Sequence, residues 1–173
     1  VIKADLLEPE SLSVIPDDID VAYYLVHSMS TRHRKDFEDL ESTCAHNFIN
    51  RINETKSKQV VYLSGISNSE DLSKHLSSRR NVEEILKRGD FALTVLRAAI
   101  IIGSGSASFE IIRDLVEKIP IMVTPRWLDT RCQPIAIRNV IQYLIGVVGK
   151  EQSYNRVFDI GGPDILTYKE MLL

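Results

Sequence analysis

The stretch FALTVLRAAIIIGSG, residues 91–105, decides the fold class of this chain. It begins with an apolar run that is too continuous for a strand with one face in water, and it ends in a glycine-rich turn. Strands that are apolar on both faces are typical of a parallel sheet with helices on each side. Two other runs have this character, IDVAYYLV at 19–26 and QVVYLSGI at 59–66. We therefore predict three buried parallel strands.

Helical patterns separate these runs. Between the first and second, apolar residues recur at steps of three and four over about five turns, at Phe37, Leu40, Cys44, Phe48 and Ile52. The opposite face is polar, with Arg34, Lys35, Glu38, Glu41 and Asn50. Between the second and third runs, NVEEILKRGD at 81–90 predicts a helix that ends at Gly89. This alternation predicts the α/β class with a doubly wound parallel sheet.

The rest of the chain continues the alternation less regularly. The pattern predicts a helix at 109–119, a short strand at 121–123, a helix at 135–149 and a strand at 157–160. The helix at 135–149 is expected to be buried along Ile137, Val140, Ile141, Leu144 and Val148. Thr167 and Glu170 form a capping box that opens a final helix. VIKAD at the start is typical of the end of a strand, so we expect the domain to be cut at both ends.

Composition excludes several classes of function. The chain has 173 residues, 44% of them hydrophobic, and a net charge of -3, which gives no basic field for a nucleic-acid partner. Cys44 and Cys132 lie far apart without metal-ligand spacing, which predicts reduced thiols and no metal site. No apolar run approaches the roughly 20 residues of a membrane span, and no signal pattern is present. We therefore expect a cytoplasmic protein of one domain.

The glycine-rich turn GSGSAS at 103–108 raises the question of a dinucleotide loop. Glycines before a helix let the backbone approach a pyrophosphate. A dinucleotide fingerprint also carries an acidic residue about 20 residues after its glycines. Here that region reads IMVTPR, and no acid follows until Asp129. The pattern favours a glycine-rich turn with capping serines, and a pyrophosphate site is the alternative.

Eight segments in this order resemble one known superfamily. They are VIKADLLEPESL, DVAYYLVHSM, AHNFINRI, QVVYLSGI, residues 79–86, LTVLRAAIIIGSG, CQPIAIRNVIQYL and VFDIGGPDILTYKEML. The series resembles the extended and atypical short-chain dehydrogenase/reductase superfamily, specifically its NAD(P)-binding epimerase-like and NmrA-like proteins. The resemblance implies one Rossmann-like domain over 1–173 that begins at the third strand, with a small substrate-side region at 103–135 and 160–173. It also implies fingerprint glycines upstream of Val1 and a cofactor that is NAD or NADP.

The resemblance also assigns cofactor contacts. Asp5 and Leu6 match a pair that contacts adenine, although Asp5 also fits an ordinary loop aspartate. Val26, His27 and Ser28 follow a strand, where ligands of parallel sheets bind, and His27 fits either a general acid or a structural histidine. Asn47 matches an asparagine of the central helix and equally a satisfied core amide. Ser64, Arg79 and Ala98 complete the predicted cofactor contacts.

The predicted catalytic residues depart from the pattern of the superfamily. Relatives that transfer hydride use a Tyr-x-x-x-Lys pair on one helix face, with a serine at the end of the preceding strand. Here His75 stands at the tyrosine position, Arg79 at the lysine position and Ser64 at the serine position. Arginine is not a simple substitute for lysine, so tyrosine-dependent dehydrogenation is in doubt. Arg79 is expected to hold cofactor ribose or phosphate, or else to pair with Glu83 at the surface.

The resemblance places other residues on the substrate side of the cleft. These are Gly103, Ser104, Gly105, Arg126 and Trp127. Arg126 suits an anionic ligand and Trp127 an apolar one; the alternative is a packed tryptophan beside a solvated arginine.

We therefore expect an NAD(P)-binding protein that acts as an oxidoreductase or as a nucleoside-diphosphate-sugar epimerase on an unknown small molecule. The missing Tyr-x-x-x-Lys pair favours a first alternative, an NmrA-like regulator that binds the dinucleotide without turning it over. A second alternative is a cofactor-holding structural subunit. Without two of its strands the sheet would expose an apolar edge, so we also expect the chain alone to form a homo-oligomer or aggregate.

Overall fold

The computed structural model describes residues 1–26, 37–66, 74–103 and 129–172, with the backbone alone at 37, 74–76 and 172. The elements predicted at 109–119 and 121–123 lie outside these residues. The strands are β1 Val21–Tyr24, β2 Gln59–Gly65, β3 Ala92–Ala98, β4 Ile101–Ile102, β5 Arg131–Cys132, β6 Ile135–Ala136, β7 Arg156–Ile160 and β8 Leu166–Thr167. The α-helices are α1 Phe37–Asn53, α2 Lys74–Leu86, α3 Ile137–Gly146 and α4 Tyr168–Leu172. Short 3-10 helices cover Pro9–Val14 and Glu151–Ser153.

The main sheet confirms the predicted fold class. Its four strands lie in the order β1-β2-β3-β7, and every neighbouring pair is parallel. The register places Val60 beside Leu93 and Ser64 beside Arg97. Helices α1 and α2 cover one face of this sheet and α3 covers the other. The architecture is a doubly wound parallel α/β sheet.

Alternation along the strands produces one apolar core on each face. On the face covered by α1 and α2, the ring of Tyr24 packs edge-on against Phe48 and Tyr62, with centroids 4.9 and 5.7 Å apart. On the opposite face, Val61 and Leu96 pack with residues of α3 and β7. Both cores explain why the strand sequences are apolar without interruption.

A buried amide joins the amino ends of the strands to α3. Gln59 donates from Nε2 to Thr94 Oγ1 at 2.9 Å and to the Val147 carbonyl at 3.0 Å. Its Oε1 accepts the Gly149 N–H at 2.8 Å. Gly149 has a positive φ of 64°, a conformation that glycine adopts without strain. The turn after α3 is therefore fixed to β2 and β3.

The burial predicted for α3 is partly wrong. Val140 is buried and Leu144 half-buried, whereas Ile137 and Ile141 are exposed. Ile141 lies roughly 100° around the helix from Val140, so both cannot face the sheet. The helix also starts at Ile137, because Ile135–Ala136 pairs with Ile101–Ile102 as parallel strands.

Several strand boundaries differ from the sequence prediction. The run at 91–102 divides into β3 and β4, since the chain leaves the main sheet after Ala98 and pairs with β6. The run at 19–26 forms only the four residues of β1, an edge strand, and Leu25 and Val26 are exposed. Residues 1–5 pair with no strand among the described residues, so the strand end predicted at VIKAD is absent from this sheet.

Two helix predictions also need correction. Helix α2 begins at Lys74, seven residues before the predicted start at Asn81. Glu41, predicted on the polar face of α1, is buried and accepts a hydrogen bond from the Ser78 hydroxyl. This contact joins α1 to α2, and it makes the face of α1 toward α2 partly polar.

Candidate functional site

The carboxyl ends of the four parallel strands meet at one edge of the sheet. This is the edge at which open α/β sheets bind ligands. Strand β2 brings Ser64 and Gly65 there, and β3 brings Arg97 and Ala98. Val26 follows β1 toward the same edge. The structure thus brings together Val26, Ser64 and Ala98 of the predicted cofactor contacts.

Ser64 is an enclosed polar residue at this edge. It is 4% exposed, and its register partner in β3 is Arg97. Alternation puts both side chains on the face covered by α1 and α2. The next register pair, Gly65 and Ala98, combines two small residues. The end of these two strands therefore carries a buried hydroxyl, an arginine and two residues without bulky side chains.

The Tyr62 phenol lies beneath Ser64 on the same face. Its hydroxyl donates to the Arg79 carbonyl of α2 at 3.3 Å. Burial raises the pKa of Tyr62 to about 12, against the opposing influence of the Ser64 side chain and the Arg79 charge. The phenol is therefore a neutral hydrogen-bond donor at physiological pH, and it attaches α2 to β2.

A buried ion pair between Glu83 and Arg97 lies in this region and was not predicted. Glu83 is 1% exposed. Each of its carboxylate oxygens accepts a hydrogen bond from Arg97 Nη2 at 2.9 Å, and Oε2 also accepts one from Arg97 Nε at 3.2 Å. Lys87 Nζ lies 3.1 Å from Oε1. The predicted surface ion pair between Glu83 and Arg79 is therefore wrong. The sequence holds a signal for the correct partner, since an arginine inside an apolar strand needs a buried counter-charge.

Helix α2 carries two of the three predicted catalytic residues, His75 and Arg79, in line with Glu83. His75, Arg79 and Glu83 follow one another at four-residue steps, which places them on one helix face about 6 Å apart along the axis. Glu83 faces β3, and Arg79 is half-buried one turn nearer to the start of the helix. The backbone of His75 lies in the first turn, and its side chain lies outside the described residues.

The loop with Asp5 and Leu6 is attached to the middle of α1. Asn47 donates from Nδ2 to the Leu6 carbonyl at 2.7 Å. Asp5 Oδ1 accepts the Leu7 N–H at 2.9 Å, and the Asp5 N–H donates to Ser11 Oγ at 2.8 Å. Asn47 is thus a satisfied amide that holds this loop. The contact of Asp5 with adenine stays a prediction.

The remaining predicted residues divide between described and undescribed segments. His27, Ser28, Ser104, Gly105, Arg126 and Trp127 lie outside the described residues. Gly103 directly follows β4, and a Cβ added to it would lie 2.5 Å from Ile137 Cγ2. A glycine is therefore required there by the approach of α3.

Residues 131–136 and 161–168 are joined by a small antiparallel pair and a side-chain hydrogen bond. Arg131 pairs with Thr167, and Gln133 Nε2 donates to the Gly162 carbonyl at 2.6 Å. The predicted capping box is present: Glu170 N donates to Thr167 Oγ1 at 3.1 Å, and Thr167 N donates to Glu170 Oε2 at 2.7 Å. The Thr167 N–H and hydroxyl both donate to the Glu170 carboxylate, and this holds the pKa of Glu170 below its usual range. The box opens α4 as its spacing predicts.

Thiols and acids show no metal-binding arrangement in the described ranges. Cys44 is buried and Cys132 half-buried; both are free, and burial raises the pKa of both thiols. Among residues 1–26, 37–66, 74–103 and 129–172, no three His, Cys, Asp or Glu side chains are placed to hold a metal ion. In the same ranges no helix has both the length and the apolar character needed to cross a membrane.

Solved structures share this architecture. The chain matches UDP-glucuronic acid 4-epimerase from Bacillus cereus in complex with NAD, with a TM-score of 0.76 and 17% identity over 96% of this chain and 61% of that one. It also matches a short-chain dehydrogenase/reductase superfamily protein from Agrobacterium tumefaciens with bound NAD, with a TM-score of 0.77 and 12% identity over 99% and 68%. This chain shares its fold with both NAD-bound proteins, the second of which is described as a member of the short-chain dehydrogenase/reductase superfamily. UDP-glucose 4-epimerase from Thermotoga maritima with UDP-glucose has the same fold, with a TM-score of 0.75 and 13% identity over 98% and 64%.

The likeness lies in structure and not in sequence. No protein-family model matches the chain, and no curated protein does. The chain spans 61% of the length of the B. cereus enzyme and 64% of the T. maritima enzyme. At these identities the comparison establishes the fold alone.

Proposed function

We propose that this chain binds NAD across the carboxyl edge of its sheet and belongs to an oxidoreductase or a nucleoside-diphosphate-sugar epimerase. The observation that carries the proposal is the register pair Ser64 and Arg97 at that edge, next to the small pair Gly65 and Ala98. Two structures with the same fold are described with NAD.

The residues present fit a dinucleotide. Gly65 and Ala98 place no bulky side chain at the strand ends, and the half-buried Arg79 supplies a cation for a ribose or phosphate. NAD bound there would supply the hydride acceptor. Ser64 would donate its hydroxyl hydrogen to a substrate oxygen, and His75 would hold or release a proton.

One sequence feature favours a second candidate function. His75 and Arg79 stand in place of the Tyr-x-x-x-Lys pair, and a guanidinium differs from an ammonium in hydration and in the geometry of its hydrogen bonds. A protein that binds the dinucleotide as a regulator, without redox turnover, fits this replacement. A cofactor-holding structural subunit would differ from such a regulator by having a stable partner protein.

Binding is tested by titrating NADH and NADPH into the natural polypeptide that carries this sequence, with nicotinamide fluorescence as the signal. Ser64→Ala is expected to weaken binding about fivefold and Arg79→Gln about tenfold, because each removes one polar contact. Ser77→Ala and Arg80→Gln are matched controls, since both side chains are exposed on α2. If the site variants bind as tightly as the controls, the site is wrong.

Turnover is tested separately on the protein that binds. We expect a net change in nicotinamide absorbance with a small carbonyl compound if the protein is an oxidoreductase, and conversion of a UDP-sugar to its epimer without a net change if it is an epimerase. Saturable binding with neither result supports the regulator instead. The cytoplasmic location stays a prediction, as does the choice between NAD and NADP.

A further inference from the structure

Helix α2 is attached to the sheet at two points one helical turn apart. Tyr62 of β2 donates its hydroxyl to the Arg79 carbonyl at 3.3 Å. Arg97 of β3 donates twice to Glu83 at 2.9 Å and once at 3.2 Å. Two different strands thus hold two successive turns of the helix, and this limits both its sliding and its rotation.

Both attachments lie beside Ser64. Tyr62 precedes Ser64 by two residues and shares its face of the sheet, and Arg97 is the register partner of Ser64. The residues that hold α2 therefore lie next to Ser64 in the sheet. The distance from Ser64 to the Arg79 side chain is set by these two attachments.

The chemistry of the pair suits positioning better than stabilisation. Taking a carboxylate and a guanidinium out of water costs much of what their attraction returns, and apolar residues fill such places equally well. A guanidinium that donates to both oxygens of a carboxylate, however, fixes the plane and the distance of the pair. Glu83 is 1% exposed and Arg97 is 23% exposed, so the carboxylate of the pair is shielded from water.

We propose that Arg97 is a positioning residue: through Glu83 it fixes α2 along its axis, and so places Arg79 relative to Ser64. This role rests on the proposed function, because Arg79 and Ser64 are the cofactor contacts of that proposal. Arg97 itself acts through Glu83 and is not a catalytic residue. Tyr62 supports the same placement from β2.

The test compares two probes on the natural polypeptide, NADH for the whole site and AMP for the adenine half at the Asp5 loop. Arg97→Lys keeps the charge but loses the bidentate contact. We expect NADH binding to weaken about tenfold, since small displacements of a binding group have large effects. AMP binding should stay within twofold, because the Asp5 loop is held by Asn47 of α1 and not by α2.

Lys87→Gln is the matched control. It removes the other cation of Glu83, at 3.1 Å, without cutting the contact between α2 and β3. It should leave the dissociation constants of both probes within twofold of the wild type. If Arg97→Lys fails to fold, Tyr62→Phe and Glu83→Gln take its place, with the same expected separation of NADH from AMP.

Two results would overturn the role. A lower unfolding temperature with unchanged NADH binding would make Arg97 a structural residue only, and equal weakening of NADH and AMP would mean a general loosening of the fold. A wild-type protein that binds neither NADH nor NADPH would remove the proposed function itself and this role with it. The wild-type titration therefore distinguishes the two failures.

Discussion

Arg97 Nη2 lies 2.9 Å from each carboxylate oxygen of Glu83, so one guanidinium nitrogen of β3 lies between the two acceptors of a residue in α2. This pair crosses from the sheet layer to the helix layer. It lies next to the apolar contacts of Val82, Ile85 and Leu86, which are all buried. Helix α2 is therefore joined to the sheet beneath the candidate site by an ion pair as well as by apolar packing.

Glu83→Ala is expected to lower the free energy of unfolding by about 3 kcal/mol, because it leaves the Arg97 charge in a largely enclosed place without its counter-ion. Urea denaturation measures the change. Glu84→Ala is the matched control, since Glu84 is exposed and pairs only with Lys87 among the described contacts; about 0.5 kcal/mol or less is expected there. Equal effects of the two substitutions would mean that the buried pair contributes no more than a surface pair.

Alkaline unfolding should depend on Tyr62. Because burial raises the pKa of Tyr62 from 10.0 to about 12, the folded state favours the protonated phenol. The resulting stability is fully present below pH 10 and is lost as the pH rises from there to about 12. The unfolding temperature of the wild type should therefore fall more steeply over this range than that of Tyr62→Phe. Tyr143→Phe, at an exposed tyrosine, should follow the wild type, and parallel curves for all three proteins would contradict the prediction.

Gly162 should not tolerate a methyl group. An added Cβ would lie 2.4 Å from the Pro134 carbonyl oxygen, which also accepts the Gly162 N–H at 3.0 Å. Backbone cannot move away there without losing that bond, so Gly162→Ala should cost about 2 kcal/mol. Gly146→Ala is the control, because a Cβ in that last residue of α3 meets nothing within 4 Å. It should stabilise the protein by up to about 1 kcal/mol, and a loss in both variants would refute the steric argument.

The exposed apolar side of α3 should promote self-association. Ile141 is 48% exposed and Ile145 is 65% exposed, and Tyr23 of the edge strand donates to the Leu144 carbonyl at 3.1 Å, so the two apolar surfaces adjoin. The double variant Ile141→Gln and Ile145→Gln should reduce a concentration-dependent increase in sedimentation coefficient. Thr43→Gln and Asn50→Gln, on the exposed side of α1, should not. A wild-type chain that stays monomeric at every concentration would contradict this prediction.

The sequence predicts an element well where one physical signal dominates. The apolar run at 59–66 has no competing pattern, and it forms β2 with an error of one residue. The periodicity from Phe37 to Ile52 forms α1 over Phe37–Asn53. The capping box also follows directly from the spacing of Thr167 and Glu170. In these cases local chemistry and tertiary packing require the same structure.

Other features depend on contacts that no local pattern contains. The first turns of α2, KHLSSRR, have no apolar stripe, and the helix there is held by Tyr62 and by the contact of Ser78 with Glu41. Helix α3 is apolar around most of its circumference, so periodicity does not choose between Val140 and Ile141. Charged residues such as Glu41 and Glu83 were placed in solvent by their residue type. Their partners come from other elements, which only the fold brings near.

The Gln59 amide matters for any attempt to change the ligand that the candidate site binds. It fixes β2, β3 and the end of α3 to one another at the amino ends of the strands, with contacts of 2.8 to 3.0 Å. The candidate site occupies the opposite ends. Strand alignment is therefore set at a distance from the ligand, and residues at the carboxyl edge can be exchanged without shifting the strands past one another. Engineers who seek a new ligand preference have that edge at their disposal as long as Gln59 is kept.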